Sequence, residues 1–458
     1  MLVVVRRELA AALLVGFCGL HACSRGGDAA TPGMTDDGGS PDGGGPDSVA
    51  PGPTPPPLPT RCDHTDIAPV SKKFCALPGQ DAPDLKVPPE FCVREFTAAP
   101  AHPVKEARVI RFAPNGDLFV AAPSVTTVGG ASDGPGQIVV LPDDNGDGVA
   151  DSVVTYAGAA TATGGFDCTP LEVDPGSMAC VHGLAFSGGY LYFTRSNELR
   201  RFAYTSGNRA APGPSELVAT LGADFTDARW THGLDARADG SLVVGRGRYD
   251  TDGCDPDQLK RGSVFVVHPE RPLPLVPDPI AHGFRNPMYL RCAPTSCNDC
   301  WASELSGESW DDVGGREKLA LLYDTGSSIN WGYPCCVAPN MPAPGWPNAP
   351  CSDVTAEPVA IKLHDTNFGL DFERGGFPDP YRHGVFVALH GVLTSFGGTA
   401  VVWLPTDPAT LRPNGAPKVF VSGFGQPNGR ATDVAFAPDG RLFIADDTMG
   451  KIYWVAPK

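Results

Sequence analysis

The chain is short of positive charge. Its 458 residues carry 35 Lys and Arg against 52 Asp and Glu, a formal net charge of −17. Such a chain repels phosphate backbones and anionic bilayer surfaces, which argues against nucleic acid as a partner. Long apolar runs are also missing. The stretch 9–20 is apolar but too short to span a bilayer. No C-x-x-C-H motif occurs, and Cys297-x-x-Cys300 is followed by Trp301, which excludes a c-type haem attached to this chain.

What is present at the N-terminus is an address. Arg6 and Arg7 precede the apolar run, and Leu20-His21-Ala22-Cys23 resembles a bacterial lipobox, with Cys23 as the lipidation site. Residues 1–22 read as a lipoprotein signal peptide, with an ordinary signal peptide cut nearby as the alternative. Residues 23–61 are Gly, Pro, Asp, Ser and Thr almost throughout, a composition that buries too little apolar surface to order itself, and read as a flexible tether. A Cys-containing lead-in, 62–84, precedes the folded part, 85–458. The expectation is an exported protein, periplasmic or at the cell surface, held by a lipid anchor in the outer membrane.

Of 14 cysteines, Cys18 lies in the signal and Cys23 takes the lipid. The even remainder in an exported chain predicts disulfides, with neighbours such as Cys168 and Cys180 as plausible partners. Cys292, Cys297 and Cys300 have the spacing of a plant-type iron–sulfur site. An oxidised loop insertion is the stronger reading in this compartment, ahead of iron–sulfur or zinc.

The C-terminal stretch TDVAFAPDGRLFIADDTMGKIYWV reads as three short strands joined by tight turns. Related units begin at Ala107, His182, His232, Asn286 and Phe368. Six copies of a meander that cannot bury itself alone predict a closed radial array. The fold class is all-β: a six-bladed β-propeller of four-stranded antiparallel blades.

One acidic loop stands out. Asp143, Asn145, Asp147 and Asp151 fall at positions 1, 3, 5 and 9 of an EF-hand-like pattern, with Gly148 at position 6 and Val154 where a bidentate Glu belongs. It reads as a structural calcium site or as a polar turn between strands.

From about Leu85 onward the chain resembles the PQQ-dependent quinoprotein sugar dehydrogenases, including soluble glucose, sorbosone and pyranose dehydrogenases. The resemblance rests on LKVPPEFCVREF, HGFRNPMYL, INWGYP, FPDPYRHGVFVALHG and GRATDVAFAPDGRLFIADDTMGKIY, in the family's order. It implies PQQ and calcium as cofactors, a sugar or polyol as substrate, and a separate electron acceptor such as a cytochrome or quinone. It implies cofactor contacts from Arg108, Arg285, Asn286, His390 and Arg430. The chemistry fits those residue types: arginine forks pair carboxylates, and a histidine removes a hydroxyl proton near neutral pH.

The chain also departs from the family. Arg229 stands where the family has its catalytic His, and His232 where pyranose-type members carry Arg, so these two are the catalytic candidates. The metal loop reads Glu304-Leu305-Ser306-Gly307, the second closing-blade Arg is Thr432, and HGVLTSF lacks its Arg. These exchanges keep open a non-catalytic propeller that binds glycan or protein on its tunnel face.

Overall fold

The computed structural model describes residues 66–458 apart from 78–79, 99–102, 124–130, 133–135, 159–165, 168–177, 179, 196–197, 222–229, 249–252, 256–260, 272–277, 294–298, 324–325, 392–397, 408–409, 411 and 425–428. The signal, the tether, Cys23, Cys62, Cys168, Cys297 and Arg229 lie outside the described residues.

Six antiparallel sheets form the blades. Blade I is Val109–Phe112, Leu118–Ala122, Gln137–Leu141 and Val154–Ala157. Blade II is Val181–Ser187, Tyr190–Arg195, Glu198–Ala203 and Glu216–Thr220. Blade III is Leu234–Ala236, Leu242–Arg246, Ser263–Val267 and Asp278–His282, extended by the parallel pair Ile329–Asn330. Blade IV is Tyr289–Cys292, Cys300–Glu304, Arg316–Leu322 and Val359–Lys362. Blade V is Asn367–Phe372, Val385–Leu389, Ala400–Leu404 and Lys418–Val421. Blade VI takes Ala431–Phe436, Leu442–Asp446 and Lys451–Pro457 from the C-terminus and Phe91–Glu95 from the start of the propeller. The first strand of each blade touches the first strand of the next, and blade VI returns to blade I. The ring is therefore a closed six-bladed propeller with no exposed inner edge.

Closure is made within the blade VI sheet. Strand Phe91–Glu95 pairs along Lys451–Pro457 from Phe91 opposite Pro457 to Glu95 opposite Tyr453. Phe91 packs its ring within 5.1 Å of Phe377, Tyr381 and Phe420, so the closing strand also fills the apolar space between blades V and VI. The lead-in adds Gln80–Asp81 to the same sheet and is bolted to it by Cys75–Cys92.

A common frame runs through the inner strands. Ile110, Leu184, Leu234, Leu290, Leu370 and Val434 are all fully buried at its centre. Two positions earlier stand Arg108, His182, His232, Met288, Phe368 and Thr432. Three blades carry glycine between these positions, where the strands come closest. A Cβ on Gly233 would lie 2.8 Å from Leu290 Cγ and 2.9 Å from the Pro287 carbonyl, and one on Gly369 would overlap the Asp433 carboxylate. Blade IV has Tyr289 in place of that glycine, and its ring fills the tunnel instead.

Every described cysteine is disulfide-bonded. Cys292 and Cys300 are cross-strand partners in blade IV and are joined directly, which leaves no thiolate pair there for an iron–sulfur cluster or zinc. Cys254–Cys335 and Cys336–Cys351 clamp the insertion between the last two strands of blade IV. Such bonding belongs to an oxidising, extracytoplasmic setting. Among the described residues, no helix is long and apolar enough to cross a membrane.

Candidate functional site

The starts of the inner strands converge on one end of the tunnel. Arg108, just before blade I, places Nε 3.3 Å from Asp447 Oδ2. His390, at the end of blade V's second strand, places Nε2 3.3 Å from both oxygens of the same carboxylate. Arg430, entering blade VI, places Nη1 3.4 Å from His390 Nδ1 and 3.4 Å from the His390 carbonyl. Three cofactor-contact candidates from blades I, V and VI therefore share one cluster, centred on Asp447.

The electrostatics follow from burial. Desolvation alone would raise the Asp447 carboxyl, but Arg108 and His390 hold it well below the usual carboxylate range. Burial pushes the His390 imidazole below its ordinary value against the pull of Asp447. Burial also lowers the Arg430 guanidinium, with Arg108 adding like-charge repulsion. Two guanidiniums and an imidazole thus meet at the Asp447 carboxylate, with Glu106 also acting on Arg108 and Asp446 on Arg430.

Beneath this cluster lies an aromatic layer. His390 stacks on Phe368 with centroids 4.3 Å apart at 13°, Phe368 stacks on Tyr289 at 5.4 Å, and Tyr289 meets His182 at 5.0 Å. The Tyr289 hydroxyl donates to the Arg108 carbonyl at 2.9 Å, which ties the layer to the arginine above it. His182 is 1% exposed, and burial, then Arg108, push it well below its ordinary pKa, so it is neutral. Its Nδ1 lies 3.3 Å from the His232 carbonyl and is set to donate to it, which leaves the lone pair on Nε2. Among the described residues that Nε2 has no hydrogen-bond partner.

Arg285 and Asn286 join a different cluster, in blade IV. Both backbone N–H groups donate to the buried Glu304 carboxylate, Asn286 at 3.1 Å. The Arg285 guanidinium gives Nη1 to the Ser306 carbonyl at 3.2 Å and pairs Nη2 with Glu308 at 2.7 Å. Asn286 Nδ2 donates to Thr231 Oγ1 at 3.1 Å. Burial raises the Glu304 carboxyl to about 8 and that of neighbouring Glu317 to about 7. The Ser306 carbonyl, in the stretch that resembles the family's metal loop, is thus already engaged by Arg285. Among the described residues no group of three or more His, Cys, Asp and Glu is placed to hold a metal ion.

His232, the other catalytic candidate, is 0% exposed, and its carbonyl accepts from Thr194 Oγ1 at 2.8 Å. In the acidic loop the side chains cap their own turn. Gly148 N–H donates to Asp143, Asp147 N–H to Asn145, and Val149 N–H to Asp147, while Asp151 accepts from the Asp144 N–H and from Asn145 Nδ2. Asp143 Oδ1 is buried with no hydrogen-bond partner among the described residues.

No family model and no curated relative matches the sequence. Solved structures do. The chain superposes on a Trichoderma reesei carbohydrate-active enzyme of family AA12 with TM-score 0.61 at 17% identity, covering 86% of this chain and 100% of that one. It superposes on the PQQ domain of pyranose dehydrogenase from Coprinopsis cinerea, solved in its holo form, with TM-score 0.59 at 16% identity, covering 83% and 99%. The soluble aldose sugar dehydrogenase from Escherichia coli gives 0.55 at 13% identity, covering 80% and 100%. At these identities the likeness establishes a shared propeller fold.

Sequence reasoning missed Asp447, His182 and Tyr289. The signal for His182 was present: His182-Gly-Leu, His232-Gly-Leu and Phe368-Gly-Leu hold the same frame position in three blades. Asp447 follows a strand and reads from sequence as an ordinary turn residue.

Proposed function

We propose that the chain is an exported quinoprotein that oxidises a sugar or related polyol with PQQ held at the strand-start end of the tunnel, passing electrons to a separate cytochrome or quinone. The observation that carries this reading is the cluster on Asp447: the guanidiniums of Arg108 and Arg430, from blades I and VI, converge with His390 at one end of the tunnel, an arrangement that suits a ligand bringing carboxylates of its own. When bound, PQQ supplies an ortho-quinone that accepts hydride. Arg108 and Arg430 are the residues that pair its carboxylates, and Asp447 orients Arg108 and His390. Phe368 and Tyr289 exclude water from below. Arg285 and Asn286 contribute as a rigid blade IV wall fixed through Glu304.

A proton must leave the substrate hydroxyl. His182, neutral with its lone pair on Nε2, suits that role, and His232, at the equivalent position of blade III, is the alternative. Arg229, just before His232 in sequence, is the residue in the family's catalytic His position. A structural Ca²⁺ in the loop of Asp143, Asn145, Asp147 and Asp151 belongs to the same proposal, supported by the unsatisfied Asp143 oxygen. So does a lipid anchor at Cys23, tested by whether Cys23→Ala moves the protein from the membrane to the soluble fraction.

The burial of both His182 and His232 favours a second reading, a propeller that binds glycan or protein without catalysis. Mixing the PQQ-loaded protein with glucose and other aldoses, and following loss of the oxidised cofactor's absorbance, separates the two. Sugar-driven bleaching supports the enzyme; binding of PQQ with no bleaching by any sugar supports the second reading.

A further inference from the structure

The opposite end of the tunnel carries its own charge pattern. One position after the buried centre of the frame, each blade contributes one residue: Arg111, Ala185, Asp235, Arg291, Asp371 and Ala435. All six line a single cavity of about 770 Å³. Arg237 and Arg374, which follow the inner strands of blades III and V, line it as well. The wall therefore sets four arginines against two aspartates, in a chain whose net charge is −17.

The aspartates are committed elsewhere. Asp235 accepts from the Cys292 N–H of blade IV at 2.7 Å, and Asp371 from the Phe436 N–H of blade VI at 2.7 Å and from the Phe372 N–H at 2.8 Å. They clasp blade to blade. Asp433, below the wall, takes Arg111 Nη1 at 2.8 Å. Arg291 approaches Asp371 only to 3.4 Å and gives Nη2 to the Val434 carbonyl. The Nε atoms of Arg111 and Arg374 are buried and among the described residues have no hydrogen-bond partner, while Arg291 Nε is the atom that faces Asp371. Four guanidiniums around a cavity of small-molecule size, two of them with a buried Nε donor unpartnered among the described residues, are the complement of an anion. Phe112, Phe186 and Phe436 add apolar wall beside them.

We infer that this cavity binds a small organic anion, its carboxylate or phosphate group held by the arginines and its apolar body lying against the phenylalanines. The site is separate from the Asp447 cluster and does not depend on the function proposed for it.

Calorimetric titration of the full chain at low ionic strength tests this with benzoate, its neutral isostere benzamide, and inorganic phosphate. Benzoate should bind one to one and benzamide at least about tenfold more weakly. Phosphate competing with benzoate identifies phosphate as an equally accepted headgroup, and phosphate binding in place of benzoate identifies it as the preferred one. Arg374→Gln should weaken anion binding roughly tenfold or more; Arg374 is half-buried and makes no ion pair among the described residues, so the variant should fold, and Arg237→Gln provides a second test. Arg430→Ala should leave the anion affinity unchanged. The inference is overturned if no anion binds at up to about 10 mM, a limit of roughly 3 kcal/mol. It is also overturned if both cavity variants bind like wild type, or if Arg430→Ala abolishes binding.

Discussion

Arg108 and Asp447 join the two ends of the propeller: the residue that opens blade I lies 3.3 Å from a carboxylate that follows the second strand of blade VI. Sheet pairing closes the ring at its outer edge through Phe91–Glu95, and this ion pair closes it at the tunnel. The same carboxylate holds His390, so closure and the geometry of the candidate site are one feature.

Asp447→Asn removes the charge that Arg108 and His390 share. Breaking a buried pair of this kind costs about 3–5 kcal/mol, and equilibrium denaturation should show a loss in that range. The folded carboxyl lies well below its unfolded value, so its contribution is fully present above the ordinary Asp range and fades as pH falls through the depressed folded pKa. In the wild type this part of the stability should survive at pH 4, and the Asn variant should lose it at every pH above that.

Glu304 and Glu317 act in the opposite direction. Burial raises them to about 8 and about 7, so between the ordinary Glu range and pH 8 the folded state holds protons that the unfolded chain has released. Stability from these groups falls as pH rises across that window. Thermal unfolding at pH 5 and pH 8 should show the higher midpoint at pH 5, and Glu304→Gln should flatten the difference.

Gly233→Ala tests the frame of the inner strands. Its Cβ would press on Leu290 and the Pro287 carbonyl, and overpacking of this kind costs roughly 1–3 kcal/mol. A denaturation midpoint equal to wild type would mean that the inner strands are not packed as described.

The propeller was legible because each blade repeats an apolar strand and a turn, and glycines 116, 240 and 440 mark the same hairpin in blades I, III and VI. Their φ values of 93°, 86° and 89° are open to glycine at no steric cost. Arg108, His390 and Arg430 were named through the family resemblance, and the fold brings the three together around Asp447. The division of labour was not legible. Arg285 precedes an inner strand just as Arg108 does, yet its guanidinium turns to Ser306 and Glu308, because the carboxylate in reach belongs to its own blade. Nor does spacing reveal that Tyr289 occupies a glycine position and fills the tunnel, or which cysteines pair. Those outcomes depend on neighbours distant in sequence.

The loop of Asp143 and Asp151 gives a metal test. If it takes Ca²⁺, adding calcium to EDTA-treated protein should raise the unfolding midpoint, by about 2.7 kcal/mol of stability at a hundredfold excess over Kd. Asp143→Asn should abolish the rise. An unchanged midpoint in the wild type would identify the loop as a self-capped turn.

On the proposed function, the Asp447 cluster binds a carboxylate-bearing quinone. The direct measurement is titration of the purified chain with PQQ in the presence of Ca²⁺, followed by absorbance, for wild type and for Arg430→Ala. Saturable one-to-one binding is expected, weakened roughly 10- to 100-fold by the loss of one charge-assisted pair, with the unfolding midpoint of the variant little changed. No saturable binding by the wild type, or equal affinity in the two proteins, would mean that the Asp447 cluster is not a PQQ site.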